Sequence, residues 1–230
     1  MSVSVLRGPD GGPPIGIKIT PEDFHDVATR FVSASEELFQ TQTGLLQQLG
    51  GLTGVAGVDT SAKQFDQSYQ AAMQQWITGV YRAQNLLGDI ANGIDWSARN
   101  HWMADASAVP GGGTPVPWQP VNPGLVLPSR VNAPSLVGNP QFDLPPWLSD
   151  HVPLPRLDAL QELVTAFHGT RDAIENITSD LHNGLEFLFS NNSSPDLDAL
   201  SEFWDKIGGA SDSAILTALS RTCDDIASAI

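Results

Sequence analysis

The sequence predicts an all-α fold of two long antiparallel helical hairpins, packed as an elongated four-helix bundle with a proline-rich extended strap. Three observations predict it. Apolar residues recur every three or four positions through residues 20–108 and again through residues 155–230, which is the period of an amphipathic helix. Twelve of the 17 prolines lie between Pro110 and Pro155, where they exclude a long helix. Hydrophobic residues make up 41% of the chain, which is enough for a packed core.

Residues 1–19 are rich in glycine and proline, and we expect them to be an extended N-terminal arm. The last five, Ile15-Gly16-Ile17-Lys18-Ile19, alternate between isoleucine and other residues. Alternation with a period of two is typical of extended backbone. We therefore predict an arm that lies on the helical core.

The first helical hairpin is predicted over residues 20–108. Its first helix begins after Thr20, because threonine is a capping residue and Pro21 suits the first helical position. The pair Gly50-Gly51 ends this helix. The residues expected to face the core are Phe24, Val27, Phe31, Ala34, Leu38, Leu45 and Leu49.

The second helix of this hairpin follows the turn Ala56-Gly57-Val58-Asp59, with Asp59 or Thr60 as its cap. Its apolar pattern continues to Trp102 without a proline. Two long helices joined by a short turn bury their apolar faces by packing antiparallel. The predicted core face is Phe65, Tyr69, Ala72, Trp76, Val80, Ala83, Leu87, Ile90, Ile94, Ala98 and Trp102.

Residues 109–154 form the predicted proline-rich strap. Because the segment carries large apolar residues, we expect it to dock on the helices in an extended conformation. A mobile spacer is the alternative interpretation. The apolar residues expected to dock are Trp118, Leu125, Val126, Leu127, Phe142, Trp147 and Leu148.

The second helical hairpin is predicted over residues 155–230. Its long helix starts near Pro155, a short helix opens at Ser194-Pro195, and Ser211 caps the last helix. That last helix is still amphipathic at Ile230, so we expect the hairpin to be truncated at its C-terminus. The predicted core residues of the long helix are Leu157, Leu160, Val164, Phe167, Ile174, Ile177, Leu181, Leu185 and Leu188, followed by Leu200, Trp204, Leu216, Leu219, Cys223 and Ile226.

Several segments together resemble a known protein family. The turn at 56–59, with Phe65 and Tyr69 after it, resembles the turn and second helix of WXG-like N-terminal domains. Residues 97–105 are similar to the end of that helix, and residues 219–227 match the closing part of the same proteins. Such domains precede the polymorphic toxins exported by actinobacterial type VII (ESX) secretion systems, including the mycobacterial channel-and-necrotizing-toxin proteins. The resemblance covers about residues 20–230.

The resemblance implies a non-catalytic targeting and interaction module that precedes a separate toxin domain, absent from these residues. It implies synthesis in the cytoplasm followed by secretion or association with the cell surface. The implied partners are the type VII machinery, and small WXG-type helical proteins or a secretion chaperone. The positions that carry the motif, or are candidates for recognition, are Gly57, Asp59, Phe65, Tyr69, Trp76, Asn100, Trp102, Trp204 and Gly208.

The three helical tryptophans among these positions admit two interpretations. Packing in the core is the simpler one, because all three fall on the apolar faces of their helices. In the family, tryptophans near hairpin ends often belong to a recognition surface. Trp204, close to the break at Gly208-Gly209, is the best single candidate for that role.

The chain also departs from the family pattern. Ala62 stands where a glycine often follows the turn, and there is no Trp-X-Gly tripeptide. The family's export signal is a tyrosine followed four residues later by Asp or Glu, whereas Tyr69 is followed at that spacing by Met73. We expect the signal to lie beyond residue 230 or to be supplied by a partner.

The sequence contains no catalytic or metal-binding pattern. The five histidines are scattered, without the spacing of a zinc site. Cys223 is the single cysteine, and the charges of Asp224 and Asp225 beside it raise a thiol pKa. We interpret it as a small buried residue rather than a nucleophile. These residues are therefore predicted to contain no enzyme, no cofactor site and no metal site.

The net charge of −15 limits the partners further. Residues 155–230 alone contain 4 basic and 13 acidic side chains, a net charge of −9. Because such a chain repels phosphate, nucleic-acid binding is disfavoured. The acidity either serves solubility or matches a basic partner or a role in export.

The N-terminal residues lack the basic and apolar regions of a Sec signal, and no apolar stretch is long enough for a transmembrane helix. The alternative function is a membrane-active or channel-forming module of the same secreted protein. The shortage of basic residues that bind anionic lipid argues against it, although membrane contact stays open. A monomer fits the pattern, since the two hairpins can cover each other's apolar faces.

Overall fold

The computed structural model of the chain describes residues 4–6, 15–108, 121, 132–138, 145–149 and 155–230. Within them the fold is an all-α helical bundle, as predicted. A short antiparallel strand pair precedes the helices. The elements are β1 (Ser4–Leu6), β2 (Ile15–Ile17), α1 (Pro21–Gly51), α2 (Thr60–Ala108), α3 (Pro146–Ser149), α4 (Leu157–Asn191), α5 (Pro195–Trp204) and α6 (Ile215–Ala229).

The chain divides into two compact units according to its contacts. Unit 1 comprises residues 1–36, 84–126 and 177–214, and unit 2 comprises residues 37–83, 127–176 and 215–230. Each unit therefore contains parts of α1, α2 and α4. The segment boundaries predicted at residues 19, 108 and 154 stay a prediction.

In unit 1, α1 and α2 run antiparallel. His25 Nδ1 lies 3.2 Å from Asp95 Oδ1, and the Ser35 hydroxyl donates to the backbone oxygen of Gln84 at 2.9 Å. Residues further along α1 therefore contact residues closer to the N-terminus of α2, which is the antiparallel arrangement. Asp95 is 1% exposed whereas the His25 side chain is 55% exposed, so this polar contact lies at the edge of the buried interior of the unit.

Asn192 joins the start of α1 to the end of α4 in the same unit. Its Oδ1 accepts from the backbone N–H of Thr20 at 2.6 Å. Its amide nitrogen donates to Asp23 Oδ2 at 2.9 Å and to the backbone oxygen of Leu188 at 3.1 Å. One buried side chain therefore satisfies polar groups at two helix ends.

In unit 2, α4 and α6 run antiparallel. The Ser220 hydroxyl donates to Glu175 Oε1 at 2.8 Å, and Arg171 Nη1 donates to Asp224 Oδ1 at 2.8 Å. Arg171 also forms an ion pair with Asp172 at 2.7 Å. These contacts lie on the partly exposed side of the helix pair, while the apolar faces are buried.

The predicted starts of α1, α2 and α5 and most core positions are confirmed, whereas the prediction that Ser211 caps the last helix is wrong, because residues 211–214 form a turn and α6 begins at Ile215. Helix α1 begins at Pro21 and ends at Gly51, α2 begins at Thr60, and α5 begins at Pro195. Proline or a capping residue marks each start, and these signals act locally. The predicted residues found buried include Phe24, Phe31, Leu38, Leu49, Trp76, Val80, Leu87, Phe167, Ile174, Leu181, Leu188, Trp204, Leu216 and Cys223.

The prediction that Leu157 belongs to the core is wrong. Leu157 is 74% exposed at the first position of α4, whereas Ala159 and Leu163 are 1% and 0% exposed. Leu160 and Val164 are only half-buried. The buried residues at the start of α4 therefore lie one position before the predicted Leu160 and Val164, and the first of them is a small alanine.

Most of the predicted strap lies outside the described residues, including Trp118, Leu125, Val126, Leu127 and Phe142. The prediction that Trp147 docks on the helices is wrong, because Trp147 is 71% exposed in α3. That short helix was not expected either, although its first residue is a proline, which suits the start of a helix.

The described part of the strap nevertheless contains a residue that docks. Leu136 is 0% exposed in unit 2, and it was not among the residues predicted to dock. The predicted arm at residues 15–19 is extended, as expected, since Ile15–Ile17 is a strand. Its pairing with Ser4–Leu6 was not predicted. Among the described residues, no helix is both long and apolar enough to cross a membrane.

Candidate functional site

The turn before α2 depends on glycine backbone conformations. Gly54 and Gly57 have φ angles of 75° and 96°, which side chains other than glycine rarely adopt. Gly57 accepts a hydrogen bond from the backbone N–H of Gly138 at 3.2 Å, and the N–H of Ala56 donates to Leu136 at 2.9 Å. The turn of the family motif is therefore paired with residues 136–138 of the same unit.

Two carboxylates fix the beginning of α2. Asp59 Oδ1 accepts from the backbone N–H of Ala62 at 2.7 Å, which makes Asp59 the cap, of the two candidates Asp59 and Thr60 that the sequence offered. Asp66, about two turns further on, accepts from the N–H of Leu136 at 2.6 Å and from the Ser135 hydroxyl at 2.9 Å. Asp66 was not singled out from the sequence, because an acidic residue in an exposed helical turn is common.

Aromatic rings cover the first turns of α2 in unit 2. Phe65 and Tyr69 stack with ring centroids 6.3 Å apart, and Tyr69 meets Phe167 of α4 edge-on at 6.5 Å. Tyr69 is 3% exposed, and its hydroxyl has no hydrogen-bond partner among the described residues. Burial, and secondarily the charge of Asp66, raises the pKa of Tyr69. These residues form a packed cluster.

Trp76 completes the motif residues of unit 2. It is 2% exposed, and its indole N–H donates to the backbone oxygen of Leu219 on α6 at 3.2 Å. Cys223, one turn further on α6, is fully buried, as predicted. Burial is the main cause that raises the pKa of the Cys223 thiol to about 12; the charge of Asp224 adds to it, and a hydrogen bond to Trp76 opposes it. Such a thiol is protonated at neutral pH and is a poor nucleophile.

Trp204 and Gly208 lie together in unit 1. The Trp204 ring is 4% exposed and meets Phe31 edge-on at 5.7 Å, and its indole N–H donates to His182 Nδ1 at 3.4 Å. The N–H of Gly208 donates to the backbone oxygen of Trp204 at 2.9 Å. A Cβ at Gly208 would overlap the indole ring, so the glycine permits this packing. Packing is thus the role that the structure describes for Trp204.

Asn100 and Trp102 stand apart from these clusters, in the last turns of α2. Asn100 is exposed and Trp102 is half-buried. Trp96, on the same helix, is 51% exposed, with the Arg99 guanidinium 4.8 Å from its ring centroid. Trp96 was not singled out from the sequence, because it falls off the apolar face of α2. The end of α2 therefore presents aromatic and amide groups to solvent.

The polar contacts of the described residues hold helices together. No group of three or more His, Cys, Asp or Glu side chains in the described parts of the chain is placed to bind a metal ion. Asn192 was also missed from the sequence, where it looked like part of a helix-breaking run. Its signal would have been an amide residue directly after a long apolar helix, where it can cap a neighbouring helix.

No known protein family matches this chain, and neither does any curated protein or solved structure. The resemblance to WXG-like domains therefore depends on the motif residues alone. Their positions are now known: Gly57, Asp59, Phe65, Tyr69 and Trp76 in unit 2, and Asn100, Trp102, Trp204 and Gly208 in unit 1.

Proposed function

We propose that this chain is a non-catalytic targeting and interaction module of a toxin exported by a type VII secretion system. A separate toxin domain would follow it in the full protein. The observation that carries the proposal is the turn into α2. There a left-handed Gly57, the Asp59 cap and the Tyr69 cluster, on which the resemblance rests, build one helical corner.

The arrangement of the motif supports a packing function. Three of its residues, Tyr69, Trp76 and Trp204, are engaged in contacts between helices, and Gly208 packs against the Trp204 ring. None of these contacts leaves a reactive group open to a substrate. Among the motif residues Asn100 is exposed, and Trp102 beside it near the end of α2 is half-buried, as are Asp59, Phe65 and Gly208. We propose Asn100 and Trp102 as the contact points for a helical partner, because they lie together and neither belongs to the packed clusters.

Co-expression with the small helical proteins encoded beside this chain tests the proposed interaction. We expect a complex that co-purifies and elutes as one species, with its mass measured by light scattering. Asn100→Ala and Trp102→Ala should each weaken the complex at least about tenfold, as buried interface contacts do.

Met103→Ala is the matched control, because Met103 is 41% exposed on the same helix and is not one of the two proposed contact residues. It should leave the affinity within about threefold, since most interface positions contribute little. A chain that stays alone at micromolar concentration with every neighbouring protein would contradict the proposal. So would equal losses for the motif and control variants.

A further inference from the structure

An apolar groove lies in unit 1 between α2 and α5. Its floor consists of Phe24 from α1, Ile90 and Ile94 from α2, and Leu197 from α5. These four side chains are between 1% and 6% exposed, so the floor is part of the core. The groove encloses about 620 Å³, a volume typical of binding sites in proteins.

The walls of the groove are apolar and partly exposed. Leu86 and Leu200 are half-buried, and Phe203 is 42% exposed. Gly93 lies on the α2 wall, and a Cβ built there meets no atom within 4 Å. A large aromatic side chain left exposed beside an open apolar groove is typical of an interaction surface.

The charged residues that line the groove are acidic. Asp89 on α2 and Asp196 on α5 line it, and no lysine or arginine among the described residues does. Asp196 accepts from the Ser97 hydroxyl at 2.8 Å and lies 3.3 Å from His101 Nε2, which hold the carboxylate at the edge of the groove. Helix α5 contains no basic residue at all.

The length of the groove fits a helical partner. Its α2 wall extends from Leu86 to Ser97, which corresponds to about 17 Å or three helical turns. A helix of that length presents apolar side chains at positions i, i+3, i+4 and i+7 along one face. Residues of the bound helix next to its apolar face would lie near the carboxylates of Asp89 and Asp196.

We propose that this groove binds an amphipathic helix of another protein, with apolar side chains on Ile90 and Ile94 and lysine or arginine beside Asp89 and Asp196. The carboxylates disfavour an acidic helix and anionic lipid alike. The inference deepens the proposed function, because it states the chemistry of the partner of an interaction module. Its test needs no secretion system, so its failure and the failure of export are distinguishable.

A pair of synthetic peptides tests the groove directly. Both are fluorescein-labelled helical peptides with leucine on one face; one has lysine on the other face and one has glutamate. Binding to the full chain is measured by fluorescence anisotropy. We expect saturable binding of the lysine peptide that weakens as salt is added, and at least about tenfold weaker binding of the glutamate peptide.

Gly93→Leu tests whether the peptide occupies the groove. The leucine would fill open space and favour the helix, so the fold should persist, which circular dichroism checks. We expect the lysine peptide to bind at least about tenfold more weakly to this variant. Unchanged affinity in a folded Gly93→Leu protein would overturn the proposal.

Charge reversal separates the groove from general attraction to an acidic chain. Asp89→Lys should weaken the lysine peptide about three- to tenfold. Glu36→Lys makes the same change in net charge at an exposed position of α1 that does not line the groove, and should have less than about a twofold effect. Equal losses in the two variants would overturn the proposal.

Two other occupants give different results. If a second copy fills the groove, the chain alone is a dimer by light scattering and Gly93→Leu makes it monomeric. If lipid fills it, the chain alone co-sediments with vesicles of phosphatidylcholine and Gly93→Leu abolishes that co-sedimentation. Either result would overturn the proposal, whereas a monomer that ignores the vesicles and binds the lysine peptide supports it.

Discussion

Within the part of the chain that the structure describes, each unit buries one tryptophan, and the two indole nitrogens are satisfied in different ways. In unit 2, Trp76 donates to the backbone oxygen of Leu219. In unit 1, Trp204 donates to the imidazole of His182, whose side chain is 55% exposed. A backbone acceptor is fixed by its helix, whereas an imidazole accepts at Nδ1 only in one tautomer. The hydrogen bond of the Trp204 indole in unit 1 therefore depends on the tautomer of one side chain, whereas that of the Trp76 indole in unit 2 does not.

The glycines near the two tryptophans also differ in how much space a side chain would find there. A Cβ at Gly79 in unit 2 would lie 2.9 Å from Leu219 Cδ2, the end of a flexible side chain. A Cβ at Gly208 in unit 1 would overlap the rigid indole of Trp204. The comparison teaches that the packing around Trp204 tolerates less change than the packing around Trp76.

Removing each tryptophan gives the largest expected effect. Trp76→Ala and Trp204→Ala should each lower the free energy of unfolding by about 3–5 kcal/mol, because each leaves a cavity in a packed core. Urea denaturation followed by circular dichroism measures it. A loss below about 1 kcal/mol for either variant would mean that its ring is not an anchor.

The two glycine substitutions sharpen the comparison. Gly208→Ala should lower the free energy of unfolding by about 1–3 kcal/mol, since the indole cannot move aside without strain. Gly79→Ala should stay within about 1 kcal/mol of the wild type, because the gain in helix propensity offsets a small shift of Leu219. The same urea experiment compares them, and a larger loss for Gly79→Ala would break the comparison.

His182→Ala tests the acceptor of unit 1. It should cost about 1 kcal/mol, the net value of one hydrogen bond, because water can reach the position. The Trp204 indole N–H resonance should move in a proton–nitrogen NMR spectrum while that of Trp76 stays in place. Glu186→Ala is the control, because it removes only the carboxylate that lies 3.3 Å from His182 Nε2. An unmoved Trp204 resonance in His182→Ala would contradict the assigned bond.

Tyr69→Phe gives the smallest effect at neutral pH. Removing a buried hydroxyl without a partner among the described residues should raise the stability of unit 2 by up to about 1 kcal/mol. A clear loss of stability would show that the hydroxyl has a partner. Urea midpoints near pH 7 make the measurement.

Alkaline pH extends this test. Burial raises the pKa of Tyr69 above its ordinary value, so the neutral phenol contributes stability below about pH 10 that is lost as the pH rises further. The pKa of Cys223, raised to about 12, adds a loss that begins above about pH 9. Stability should therefore fall between about pH 9 and 11, and less steeply in Tyr69→Phe. Equal slopes would contradict the burial of the phenol.

The sequence predicted the parts of the fold that local signals determine. Proline and capping residues mark the starts of α1, α2 and α5, and their effects do not depend on distant residues. Asp59 was found for the same reason. The period of apolar residues then located most of the buried face of each long helix.

The remainder depends on contacts between distant segments. Leu157 and Leu136 are both leucines, yet Leu157 is 74% exposed and Leu136 is 0% exposed. What separates them is that Asp66 and Ala56, far away along the chain, hold the backbone of Leu136. The groove beside Phe203 was missed for a related reason: it is formed by three helices, and periodicity describes only one helix at a time.

The export of the chain tests the central claim most directly. The chain is expressed with its neighbouring small helical proteins in an actinobacterium with a working type VII system, and in the same strain without the membrane ATPase of that system. Immunoblots of culture filtrate are compared against a cytoplasmic marker for lysis. The account predicts the chain in the filtrate of the intact strain alone. A chain that stays inside both strains, or reaches both filtrates equally, would contradict it.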